Sequence, residues 1–137
     1  MGGAFQVLTF EEIVHINRRM IHEFGAVSFF SNVNNLLNPG SLEYILAACQ
    51  GSMFGQELYP TVIDKAAAIC YGIVTRHVFQ DGNKRTGLEV CRQILELNSY
   101  KLPIERDAIE MVLSVAKGEI SEQEFTAWVE RRAVKLP

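Results

Sequence analysis

Apolar residues recur at steps of three and four along most of this chain, and polar or glycine-bearing breaks divide the pattern into about six stretches. The first begins at Thr9, where TFEEIVHINRRMIHEF places Ile13, Ile16, Met20 and Phe24 at helical intervals. Thr9 and Glu12 have the spacing of a capping box, and Gly25 ends the run. Residues 26–39, AVSFFSNVNNLLNP, mix aromatics with four Asn and hold no period, which predicts an ordered loop pinned by Phe29 and Phe30. Ser41 is placed to cap a second helix that runs to about Gln50.

GSMFGQELYP, 51–60, breaks the helical period. SMF and ELY are strand-like, so the stretch reads as a mobile loop or a short β-hairpin. Thr61 opens the most apolar helix, TVIDKAAAICYGIVTRHVF, with Val62, Ala66, Ile69, Cys70, Ile73 and His77 on one stripe. That stripe puts His77 at the C-terminal end of a core-facing helix. Leu88, Cys91, Ile94, Leu95 and Leu97 mark the next helix, which NSYKLP stops. IERDAIEMVLSVAKG predicts a fifth, ending at Gly118, and SEQEFTAWVERRAVKL a sixth, opened by Ser121 with Glu124 in capping-box register. The expected fold is all-α, a single domain over 9–137 behind a flexible start at 1–8.

Composition supports one self-sufficient domain: 137 residues, 48% hydrophobic and 21% charged, is ordinary globular content with enough chain for a core. A net charge of -3 gives no overall attraction to nucleic acid or to an anionic membrane. No stretch approaches the roughly 18 apolar residues of a spanning helix, and no basic segment precedes an apolar export signal. Cys49, Cys70 and Cys91 are odd in number and sit among apolar helical residues, as buried free thiols of a reducing cytoplasm would.

One corner departs from this core-building pattern. HVFQDGNKRTG, 77–87, sets His77 before a DGN turn and two cations after it. A helix starting at that turn leaves its first N–H groups unpaired and ready for an anion. Lys84 and Arg85 are mildly unfavourable against the dipole there unless an anion is held. Asp81 suits a Mg2+ that bridges phosphate oxygens, and equally suits a plain N-cap. His77 can then reach a substrate hydroxyl as general base. Thr86 can cap or face the phosphates, and Phe79 plugs the core beneath the loop. Singly these residues fit plainer roles, a core histidine and a turn, but a plain turn needs neither the histidine nor the adjacent cations.

HVFQDGNKRTG resembles the signature of the Fic/Doc (Fido) family: His, any, Phe, any, Asp or Glu, Gly or Ala, Asn, Gly or Lys, Arg. The likeness runs from EEIVHINRR through NPGSLEYIL to AKGEISEQEF in the order of the death-on-curing toxins of toxin–antitoxin systems. It implies an all-α fold with the motif loop between two central helices. It also implies ATP with Mg2+ as co-substrate and cofactor, and transfer of a phosphorus-containing group to a hydroxyl of a target protein. His77 becomes the general base, Asp81 the Mg2+ ligand, and Gly82, Asn83, Lys84 and Arg85 the phosphate cradle, with Thr86 beside them. Residues 51–60 fall where the family carries its target-docking flap, with Phe54, Gly55, Leu58 and Tyr59 as the flap residues.

The family has two branches, one transferring AMP and one the γ-phosphate. AMP-transferring members usually have Gly where this chain has Lys84, and many place a second Arg where it has Leu88. Both positions side with the phosphate-transferring branch, whose implied target is a translation elongation factor. The intact inhibitory motif is absent: Thr126 and Glu130 fit it, but Arg131 breaks it, so a separate antitoxin is the expected inhibitor. AMP transfer is the second reading, and a non-catalytic nucleotide-sensing or interaction module the third.

Overall fold

The computed structural model describes residues 6–24 and 35–137. Gly25, the loop with Phe29 and Phe30, and residues 1–5 of the start lie outside the described residues. Among the described residues there are six helices, α1 (Phe10–Phe24), α2 (Pro39–Cys49), α3 (Val62–Thr75), α4 (Asn83–Leu97), α5 (Arg106–Ala116) and α6 (Glu122–Arg132). Two small antiparallel pairs join them: β1 (Ser52–Met53) with β2 (Gln56–Glu57), and β3 (Tyr100–Lys101) with β4 (Val134–Lys135). Among the described residues, no helix is long and apolar enough to cross a membrane.

Two helix starts follow their predicted capping boxes, and Thr61, read only as a helix start, forms a third with Asp64. Thr9, Thr61 and Ser121 each accept from the backbone N–H three residues on, and Glu12, Asp64 and Glu124 reach back to the capping residue's own N–H. The second helix differs. It starts at Pro39 with Asn38 as cap, not at Ser41, because proline's fixed φ suits the first helical position. Asn38 makes no side-chain cap bond and spends its amide elsewhere. Residues 6–8, read as part of a flexible start, are held: Leu8 is buried, and Gln6 exchanges two hydrogen bonds with the Asn98 side chain.

α3 is the central helix, buried around most of its circumference, and it packs most extensively against α4. Leu88, Cys91, Ile94 and Leu95 of α4 are buried, whereas Leu97 is half exposed at the helix end. All three cysteines are buried free thiols, and burial pushes Cys49 up to about 11 and Cys91 up to about 12. The sixth helix ends at Arg132, not near Leu136, because residues 134–135 pair with 100–101 and the Leu136 N–H donates to the Ser99 carbonyl.

Two glycines set the helix spacing around α3, Gly72 against Ile45 of α2 and Gly87 against α3 itself. A Cβ on Gly87 would stand 3.2 Å from the Cys70 carbonyl oxygen and 3.0 Å from a Val74 methyl. Gly87→Ala gains about 1 kcal/mol in helix propensity but overpacks this seam at a cost of about 1–3 kcal/mol. The net expectation is a lower chemical-denaturation midpoint; an unchanged or raised midpoint would show that α3 and α4 can part freely.

Candidate active site

The motif loop links α3 to α4, and its path is set residue by residue. α3 stops at Thr75, so His77 does not lie on the apolar stripe as its spacing suggested. It leaves the helix with φ +50, exposed, and the next two residues turn inward. Val78 and Phe79 are both 0% exposed, so Phe79 does plug the core. A left-handed non-glycine residue costs about 1–3 kcal/mol and persists only where its surroundings hold it. Here Asn38 Nδ2 donates to the carbonyls of His77 (3.0 Å) and Arg76 (3.3 Å), and the Leu37 and Asn38 N–H groups donate to the Val78 carbonyl.

The descending half of the loop is fastened the same way. Asn83 accepts from the Phe79 N–H at 2.9 Å and donates to its carbonyl at 2.8 Å, copying a strand partner. The Gln80 N–H donates to the Asn35 carbonyl, and Asn17 and Asn35 both donate to the Asp81 carbonyl. Gly82, at φ +81, is the actual N-cap of α4, so Asp81 does not cap the helix. Its carboxylate is exposed and makes no bond or ion pair among the described residues.

These contacts divide the predicted phosphate cradle. Gly82 and the backbone of the first turn of α4 form its floor, with Lys84 and Arg85 exposed above. The Asn83 side chain closes the loop and does not face outward. Thr86 neither caps nor faces the phosphates: it is fully buried, with its hydroxyl accepting from Asn17 at 3.0 Å.

Lys84 and Arg85 also form one wall of a groove of about 440 Å³ between α1, α4 and α5. Its apolar floor includes Met20, Leu88 and Val112, and Arg19, Glu23 and Glu89 stand at its edge. Burial alone would raise the Glu89 carboxyl, yet hydrogen bonds from Arg92 and Gln93 hold it below its ordinary value.

Residues 51–60 form the hairpin. Ser52 pairs with Glu57 and Met53 with Gln56 across a two-residue turn, Phe54–Gly55, with φ +52 and +79. Positive φ at both central positions is the turn that matches strand twist, and asparagine-glycine is its usual sequence. A phenylalanine accepts this strain here while 97% exposed. Leu58 is exposed too, whereas Tyr59 is partly buried, its hydroxyl pushed up to about 12 by burial and by the Glu122 carboxylate. Sequence reasoning missed the hairpin's anchor, Lys65: buried, its ammonium donates to the Cys49 and Tyr59 carbonyls at 2.7 Å and lies 3.7 Å from Glu57.

The group set suits magnesium nucleotide. Mg2+ takes one or two carboxylates and fills its other positions with phosphate oxygens and water. The described residues hold no cluster of three metal-ligating side chains, and they offer one uncommitted carboxylate, Asp81, beside a cationic helix start.

The Fic/DOC family model matches residues 7–95, from the first buried turn through the motif helix. "Toxin Doc" of Mycolicibacterium smegmatis is 28% identical over 93 residues, covering 68% of this chain and 71% of that protein. "Protein kinase doc" of Escherichia phage P1 is 24% identical over 111 residues, covering 81% and 82%. With the family model spanning well over half of its length and the motif loop folded between two central helices, the chain belongs to the Fic/Doc family.

Proposed function

We propose that this protein is a Doc-like toxin that transfers the γ-phosphate of ATP to a Ser or Thr hydroxyl of a target protein in the translation machinery. An elongation factor is the favoured target, and a separate antitoxin holds the activity in check. The observation that carries the choice of phosphate is the pair Lys84 and Leu88, one helical turn apart on α4 and lining one groove. A long cation at 84 fills the space that a glycine would leave for the α- and β-phosphates. A leucine at 88 offers no second guanidinium for a γ-phosphate bound deeper. The name "Protein kinase doc" of the phage relative supports the same choice.

The residues act in sequence along the loop. His77, exposed at its outer end, takes the proton of the target hydroxyl as that oxygen bonds to the γ-phosphorus. The bond from phosphorus to the β–γ bridging oxygen breaks, and ADP leaves. Such a transfer asks mainly for positioning and charge neutralisation. The first-turn N–H groups of α4, with Lys84 and Arg85, hold the phosphates, and Asp81 holds Mg2+. Bound Mg2+ supplies charge neutralisation at the phosphate oxygens. The hairpin at 52–57, with Phe54 at its tip, presents the backbone edge that receives the target segment.

Incubation of purified protein with a candidate elongation factor and ATP labelled at the α or the γ position tests this reading. The γ label should appear on the factor and the α label should not. Transfer of the α label would assign AMP transfer, and labelling of neither would leave a binding module.

A further inference from the structure

Asn17 and Asn35 are 0% and 2% exposed, and nothing in a helical core calls for two buried primary amides there. Burying an amide costs free energy unless its hydrogen bonds are replaced. Asn35 Nδ2 donates to Asn17 Oδ1 at 2.8 Å, and each side chain donates to the Asp81 carbonyl at 3.0 Å. Asn17 Nδ2 also reaches the Thr86 hydroxyl, while Asn35 Oδ1 finds no partner among the described residues. Asn35 itself sits at φ +56. An orphaned oxygen is a cost that an apolar pair of similar volume would avoid, and the left-handed backbone is a second cost, one that asparagine bears more easily than an apolar residue. They coincide with one product: a single carbonyl oxygen gripped from two elements, α1 and the segment at 35–38.

That carbonyl belongs to the proposed metal ligand. Holding the plane of the Asp81–Gly82 peptide restricts ψ of Asp81 and φ of Gly82, and so restrains the direction of the Asp81 Cβ and the aim of the first-turn N–H groups. Gly82 is itself held close: a Cβ there would stand 3.2 Å from Asn17 Nδ2 and 3.4 Å from Ile21. We infer that Asn17 and Asn35 are positioning residues that aim the Asp81 carboxylate and the α4 phosphate nest at magnesium nucleotide. The inference rests on the assignment of Mg2+ to Asp81 and adds to it the side chains that keep Asp81 in place. Outer partners of metal ligands commonly act so, and their loss costs about 10–100-fold in metal affinity.

The quantity to measure is the factor by which Mg2+ strengthens ATP binding, from calorimetric titrations in EDTA and in saturating Mg2+, alongside the thermal midpoint. Asn17→Ala and Asn35→Ala should each shrink that factor about tenfold or more. Val129→Ala, a core truncation on α6, should lower the midpoint and leave the factor unchanged, which separates positioning from stability loss. A wild-type factor that survives in the asparagine variants, with only the midpoint lowered, overturns the inference and leaves the assignment of Asp81 standing. A wild-type protein whose ATP binding ignores Mg2+ overturns both. Should Asn17→Ala fail to fold, Asn35→Ala reads the same factor from the other half of the grip.

Discussion

Alanine in place of His77 will reduce phosphate transfer to the target by about 10²–10⁴-fold, the range that a positioned general base contributes. Stability should hardly move. The imidazole is exposed and accepts or donates no hydrogen bond among the described residues, so the substitution empties no core space. It also leaves intact what holds the backbone, since Asn38 grips the carbonyl of residue 77 and not its side chain. Nucleotide affinity should be close to wild type for the same reason, because the phosphate nest lies beyond the turn. A single-turnover assay with γ-labelled ATP, run with calorimetry on the same sample, reads both quantities. Transfer within about threefold of wild type would remove His77 from the chemistry and with it the proposed order of roles along the loop.

Phe79→Ala is the change with the largest expected effect on folding, about 3–5 kcal/mol. The ring is 0% exposed and ranks among the largest fully buried side chains, so truncation leaves a cavity directly under the loop. The surroundings have little freedom to collapse into it. The backbone of residue 79 is bonded in both directions to Asn83 and bridges to Leu36, which holds the vacated space open. Against a typical total of about 5–15 kcal/mol this is a large share, and it falls on the segment between His77 and Asp81. Chemical denaturation should show it, and Phe79→Leu should recover much of the loss. A cost below about 1 kcal/mol would mean that the loop does not depend on its plug.

How much of this was legible beforehand follows from the kind of signal each feature leaves. The helices were readable because apolar stripes and capping boxes are local: Thr9, Thr61 and Ser121 announce their helices within four residues. The motif was readable as a cluster of chemistry, and its side chains at 77, 81, 84 and 85 do face outward together. Local periodicity erred at the joints. It carried His77 along the α3 stripe, although the Asn38 bonds to the Arg76 and His77 carbonyls take the chain out of the helix first. The Asn83 side chain, placed in the cradle by resemblance, is spent on Phe79 four residues back, and the Thr86 hydroxyl on Asn17, a neighbour only in the fold. The terminal strand pairing of 134–135 is likewise non-local.

Asn17 did leave a trace, as a polar residue within the Ile13, Ile16, Met20 stripe of α1. Lys65 left a similar one, a cation among the apolar positions of α3, and its attachment has a consequence for how this surface can change. Its ammonium holds the hairpin through main-chain carbonyls of Cys49 and Tyr59, groups that every amino acid carries. The attachment is therefore indifferent to the letters written at the tip. Residues 53, 54 and 56 can drift, gain charge or lose their aromatic ring while the hairpin, turning at Gly55, stays hung from the same two oxygens. The motif loop, whose path runs through asparagine side chains, has no such latitude. Within one small domain, novelty has somewhere to accumulate without disturbing the part that must stay the same.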